Sequence, residues 1–175
     1  MPMEEQRKET LAILPGSYDP MTRGHVALVE RASRLFDRVV VAVMHNAEKT
    51  YTYTAEERLA LVLASIGHVS NCTAMIDDGM LIDLYRRLGA SCVVKGLRNE
   101  RDYLYEEKQA QWNRAHCEGF ETLYFAADDD LSAVSSTEVR RRIAEGLDCA
   151  DLLMPAADAM IRSGEILTHG KQIDG

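Results

Sequence analysis

The chain has few cysteines, and none sits in a pairing that carries chemistry. Cys72, Cys92, Cys117 and Cys149 lie far apart with no CxxC between them, which removes zinc and dithiol redox readings. Scattered cysteines behind a polar, charged N-terminal stretch, Met1 to Thr10, suggest a reducing, cytoplasmic setting. Residues 1–10 read as a disordered lead-in. Long hydrophobic runs are missing too. The longest span about six residues, far short of a membrane crossing. A basic excess is also lacking. The net charge is −8 over 175 residues, so a general nucleic-acid binder is not expected. Neither GxGxxG nor GxxxxGK[ST] occurs, which sets aside a Rossmann dehydrogenase and a P-loop kinase. There is no internal repeat and no low-complexity tract.

What remains is a soluble composition, with 46% apolar and 27% charged residues, in a length that suits one domain. Apolar runs alternate with helical patterns. Leu11 to Leu14, Val39 to Met44, Cys72 to Ile76, Ser91 to Val94 and Thr122 to Ala127 read as strands. Helices are predicted at His25 to Phe36, from the capping box Thr54-Ala-Glu-Glu57 to Ile66, at Leu81 to Leu88 closed by Gly89, and at Glu100 to His116. A second capping box, Ser135-Ser-Thr-Glu138, opens a helix that Gly146 stops. Ala156 to Arg162 forms the last one. The predicted fold is α/β, a Rossmann-like doubly wound sheet of five parallel strands with helices on both faces. One domain spans 11–163, with a frayed tail at 164–175.

Ligands on such sheets bind outside the carboxyl ends of the strands, so the loops there carry the argument. Pro15-Gly-Ser-Tyr-Asp-Pro-Met-Thr-Arg-Gly-His25 follows the first strand and leads into a helix. Its glycines permit close backbone approach, and a helix N-terminus with an imidazole suits a phosphate. His25 could equally be a solvated helix-start residue. Lys49 follows the second strand, where a lone loop lysine is ordinarily just solvated. Lys95-Gly-Leu-Arg98 follows the fourth strand and places two cations around a glycine. Ser135, Ser136 and Thr137 gather hydroxyls and N–H groups at a helix start, and simple capping accounts for one of the three hydroxyls. Asp128-Asp-Asp130 has no metal-site spacing and reads as a solvated loop. Four phosphate-capable elements thus fall at one end of one sheet.

Thr22-Arg-Gly-His25 and Ser135-Ser-Thr-Glu-Val-Arg140 together resemble the signature and distal motifs of the HxGH/TxGH nucleotidyltransferase superfamily. Gly16-Ser-Tyr-Asp-Pro20, Lys95-Gly-Leu-Arg98, Asp102-Tyr-Leu-Tyr-Glu106 and Asn113-Arg114 are most similar to its bacterial phosphopantetheine adenylyltransferase branch, over residues 11 to 162. Lys95 stands where that branch usually has Arg, Leu131 where Trp is often found, and Tyr18 where it has Phe. The loop around Lys49 lacks the usual proline. The resemblance implies transfer of the adenylyl group of ATP to 4′-phosphopantetheine, without a covalent enzyme intermediate, with Mg²⁺ carried mainly by the ATP phosphates. It implies Ser17, Lys49, Leu81 and Lys95 as acceptor contacts. Ser17, Tyr18, His25, Gly96, Leu97, Arg98, Glu106 and the stretch Leu131, Ser132, Ala133, Val134, Ser135, Ser136 and Thr137 would hold ATP. His25, Lys49, Lys95 and Arg98 would stabilise developing charge. It also implies a homo-oligomer, a hexamer, with coenzyme A as a feedback ligand. A different acceptor, such as a nicotinate nucleotide or glycerol phosphate, and a non-catalytic nucleotide binder are the alternatives.

Overall fold

The computed structural model describes residues 7–166, and the expectations for residues 1–6 and 167–175 lie outside them. Five strands form one sheet: β1 (Leu11–Gly16), β2 (Arg38–Met44), β3 (Cys72–Asp77), β4 (Cys92–Leu97) and β5 (Thr122–Ala126). Their order is β3-β2-β1-β4-β5, and every pairing is parallel. The chain leaves β1 toward β2 on one side and later returns to β4 on the other. The order therefore reverses at β1, the place where such sheets open a crevice.

Side-chain alternation along β1 divides the core into two layers. Ala12 and Leu14 point to one face with Val29, Val39, Val41 and Val62. There α1 (Arg23–Ser33) and α2 (Ala55–Ile66) cover the sheet. Leu11 and Ile13 point to the other face with Ile82, Leu84, Tyr85 and Phe120. There α3 (Leu81–Leu88) lies, and α4 (Glu100–His116) follows β4. The helices α5 (Ser136–Ala144) and α6 (Pro155–Arg162) close the domain. Leu61 of α2 packs with Tyr53 and Ala157, and Val139 packs with Leu152 and Leu153.

Local chemistry explains the boundaries. Thr54 Oγ1 accepts the Glu57 N–H at 3.2 Å, and Glu57 Oε2 accepts the Thr54 N–H at 2.8 Å, a complete reciprocal cap for α2. Gly89 ends α3 at φ 61° and Gly146 follows α5 at φ 69°, backbone that glycine takes without penalty.

Several expectations shift. The first helix begins at Arg23 with Thr22 as its N-cap, so His25 is its third residue and not its start. The fourth strand runs on to Leu97, because Lys95, Gly96 and Leu97 stay in register with Tyr124, Phe125 and Ala126 of β5. Lys95 and Gly96 therefore sit on the strand and not in a loop after it. The second capping box is half formed. Ser135 Oγ accepts the Glu138 N–H at 3.2 Å, while the Glu138 carboxylate is drawn to Arg141 at 2.7 Å and Arg142 at 2.9 Å. Asp129–Leu131, expected as open loop, makes one 3₁₀ turn. At the ends, Thr10 donates through N and Oγ1 to Asp37 Oδ2, at 2.8 and 2.9 Å. Ile166, three residues past the expected boundary, is buried beside Tyr53 and Leu61.

Ile13 is fully buried in the central strand. Ile13→Ala removes packing from one whole face of the sheet and should cost about 2–5 kcal/mol. Chemical denaturation measures it.

Candidate active site

The carboxyl ends of β1, β2 and β4 open onto one cleft of ≈ 820 Å³. Of the residues expected from sequence, Ser17, Tyr18, His25, Lys49, Leu81, Lys95, Gly96, Arg98, Glu106, Leu131, Val134, Ser135, Ser136 and Thr137 line it. Leu97, Ser132 and Ala133 do not. Strand alternation turns Leu97 to the face opposite Gly96. Ser132 and Ala133 are exposed at the apex of a bend that the Val134 N–H closes on the Leu131 carbonyl at 3.0 Å.

His25 is set by its own helix start. The Thr22 N–H donates to His25 Nδ1 at 3.0 Å, and Thr22 Oγ1 lies 3.1 Å from the same nitrogen. A backbone N–H has no lone pair to offer, so Nδ1 must be an acceptor and the neutral ring carries its proton on Nε2. Burial, with the Arg98 guanidinium as the lesser cause, lowers the imidazole from 6.5 to about 4. The Tyr18 ring meets it edge-on, with centroids 5.1 Å apart. At neutral pH His25 is therefore an uncharged N–H donor.

The first loop folds back on itself. Tyr18 has φ 48°, rare for a bulky side chain. It is buried, its hydroxyl donates to the Leu14 carbonyl at 2.8 Å, and burial pushes its pKa up. Its ring covers Gly16 so closely that an added Cβ would lie 2.9 Å from Cζ. Only glycine fits there.

The distal motif works chiefly as a fastener for this loop. Ser136 Oγ donates to the Pro20 carbonyl at 2.8 Å, and Arg140 Nη1 donates to the Asp19 carbonyl at 2.6 Å. Thr137 Oγ1 accepts from Arg140 at 3.2 Å. With Ser135 as the cap, all three hydroxyls already have protein partners. What α5 presents to the cleft is the first-turn N–H groups of Ser136 and Thr137, donors that no helix satisfies internally. Of the hydroxyls and N–H groups that the sequence gathers at this helix start, the hydroxyls are thus engaged within the protein.

The cations are held by carboxylates from α4. Lys95 Nζ lies 3.0 Å from Glu106 Oε2. Arg98 Nε lies 3.0 Å from Asp102 Oδ2, and the Arg98 N–H donates to the same oxygen at 3.2 Å. Burial works against the charge of Asp102, but the Arg98 bonds outweigh it and hold the carboxyl below its usual range. Sequence reasoning missed Asp19, Tyr51, Arg58 and the fastening role of Arg140. Asp19 is buried, and its carboxylate accepts the N–H groups of Thr52 at 2.9 Å and Tyr53 at 3.0 Å. No local signal points to these bonds, because they reach backbone more than thirty residues along the chain. Among the described residues no three His, Cys, Asp or Glu side chains gather to hold a metal, and no helix is long and apolar enough to cross a membrane.

A crevice at the reversal point of a parallel sheet, bordered by a helix start and cations around a neutral imidazole, is suited to a nucleotide. The chain belongs to the cytidylyltransferase-like family, whose profile matches residues 13–142. It is 37% identical to the phosphopantetheine adenylyltransferase of Heliobacterium modesticaldum over 147 residues, 84% of this chain and 88% of that one. In fold it is similar to a Vibrio parahaemolyticus protein assigned as a nicotinate-nucleotide adenylyltransferase. That structure has a TM-score of 0.64 and 18% identity, over 89% of this chain and 93% of the other.

The imidazole gives a signed pH dependence. Between pH 6.5 and about 4 the unfolded chain binds a proton that folded His25 refuses. Stability from this group is therefore complete above pH 6.5 and declines as pH falls toward 4. Over that window wild-type stability should fall more steeply than that of His25→Gln. Urea titrations at stepped pH provide the comparison, and equal slopes would mean an imidazole that titrates normally in the fold.

Proposed function

We propose that this chain transfers the adenylyl group of ATP to 4′-phosphopantetheine, giving dephospho-coenzyme A and pyrophosphate. The observation that carries the proposal is the order of groups along the sheet. His25 follows the central strand β1. Lys49 follows β2 on one side, and Lys95 and Arg98 belong to β4 and its end on the other. One cleft therefore offers two anion-binding lobes with an N–H donor between them. The Heliobacterium relative carries the name of this activity.

The acceptor phosphate would lie against Ser17 and Lys49, with the pantetheine arm toward Leu81. ATP would occupy the side bounded by Gly96, Arg98, Glu106, Leu131 and the start of α5. An acceptor phosphate oxygen attacks the α-phosphorus, the bond to the β-bridging oxygen breaks, and pyrophosphate departs with that electron pair. Such transfers depend on positioning and charge stabilisation. The Nε2–H of His25 would donate to an α-phosphate oxygen as charge builds there, while Lys49, Lys95 and Arg98 neutralise the rest. To do so, Lys95 and Arg98 would exchange part of their hold on Glu106 and Asp102 for phosphate. Mg²⁺ would enter with the nucleotide, bound through its phosphates and water. Assembly into a homo-oligomer, a hexamer, is part of the proposal. Tyr103, Leu104, Tyr105 and Trp112 of α4 are large and exposed, and Ala110 is the only residue buried along that helix.

With ATP and a panel of phosphorylated acceptors, pyrophosphate should appear with 4′-phosphopantetheine. Turnover with nicotinate mononucleotide alone would overturn the acceptor assignment. His25→Ala should lower kcat by about 10²–10³ with a much smaller change in ATP affinity. Near-normal kcat with poor ATP binding would make His25 a ground-state ligand. Lys95→Ala should impair turnover far more than Lys95→Arg, because the charge is what the phosphate needs. Equal and negligible effects would leave Lys95 as the partner of Glu106 and nothing more.

A further inference from the structure

The acceptor-phosphate lobe is assembled from two separate loops. Ser17 leaves β1, and Lys49 lies beyond β2. The β1–β2 pairing ends at Gly16 and Val43, so the sheet does not fix the position of one loop against the other. A buried cation does. Arg58, from the first turn of α2, is 1% exposed. Its Nη1 donates to the Ser17 carbonyl, in the loop after β1, at 2.6 Å and to the carbonyl of Met44, the last residue of β2, at 3.0 Å. Its guanidinium lies over the Tyr51 ring, 4.1 Å from the centroid.

Tyr51 carries the link onward. Its hydroxyl accepts the Asn46 N–H at 2.8 Å. Asn46 begins the turn that holds the lysine: its carbonyl accepts the Lys49 N–H at 3.0 Å, and its Oδ1 accepts the Glu48 N–H at 2.9 Å. A connected chain of contacts thus runs from Ser17 through Arg58, Tyr51 and Asn46 to Lys49. The Nε of Arg58 is buried without a hydrogen-bond partner. An orphaned donor on a buried cation is costly, and the bonds that offset it tie the loop after β1 to the end of β2.

We infer that Arg58 and Tyr51 are a positioning pair that sets the spacing of Ser17 and Lys49, and so governs affinity for the acceptor phosphate and not for ATP. The inference rests on the acceptor assignment above. Neither side chain has to touch the substrate. The loop around Lys49 has no proline to stiffen it, and the tyrosine hydroxyl supplies the missing restraint.

Tyr51→Phe is the informative variant, because it removes the bond to Asn46 and leaves a ring under the guanidinium. In steady-state kinetics the KM for 4′-phosphopantetheine should rise about three- to tenfold, the size of one hydrogen bond. The KM for ATP, kcat and the melting temperature should stay near wild type. Arg58→Met should raise the same KM further, with its melting temperature showing how much of the effect is lost fold. An unchanged acceptor KM in Tyr51→Phe, or an equal rise in both KM values, overturns the inference. Hydrogen exchange on the ligand-free protein tests the clamp without any acceptor. Amides of residues 45–50 should exchange faster in Tyr51→Phe, and equal exchange overturns the clamp. A wild-type enzyme that does not use phosphopantetheine would sink the acceptor assignment, while the exchange result would still decide the clamp.

Discussion

A backbone N–H can only give a proton, so the bond from Thr22 to His25 Nδ1 settles the direction of the whole imidazole. With Nδ1 occupied, the neutral ring has a proton only at Nε2. Burial then keeps the second proton off. The consequence is a donor whose orientation costs no reorganisation when charge develops nearby, the condition under which such groups contribute most to catalysis. The rest of the structure secures the helix start that makes this bond. Thr22 is buried, the neighbouring Arg23 N–H donates to the Leu152 carbonyl at 2.9 Å, and Tyr18 backs the ring.

The distant motif belongs to the same construction. Ser136 and Arg140 come from α5, more than a hundred residues further along the chain, and both bond to carbonyls in the loop before Thr22. The side chain of Asp19 reaches the other way, to the backbone of Thr52 and Tyr53. One loop is thereby fastened to the start of α5 and to the segment entering α2. Cleft-lining groups that come from segments far apart in sequence keep a fixed separation because their supporting backbone is tied together.

Much of this was legible in the amino-acid sequence, for identifiable reasons. Valine-rich runs and two clear stop signals, Gly89 and Gly146, located strands and helix ends, because those signals act within a few residues. Most of the expected residues from Ser17 to Thr137 do line the cleft, since a parallel sheet sends its post-strand segments to one edge, while Leu97, Ser132 and Ala133 do not and Tyr51 was missed. Partner choice was not legible. Nothing local says that Ser136 bonds to Pro20, that Glu138 prefers Arg141 to its own helix start, or that Arg58 is buried beneath two loops. Glu138 chooses between two local partners that the pattern alone does not rank, and the Ser136 and Arg58 bonds cross long sequence separations. The extension of β4 through Lys95 and Gly96 was hidden for the same reason: β5 completes that ladder, and a glycine in the run argues locally against a strand.

The proposed reaction is a single in-line displacement at the α-phosphorus, with both substrates held in one cleft and no covalent intermediate. The direct test uses ATP made chiral at the α-phosphorus with a sulfur substituent, followed by stereochemical analysis of the adenylylated product. One displacement inverts the configuration, and inversion is the predicted result. Retention would require two successive displacements through an enzyme-bound nucleotide and would contradict the account.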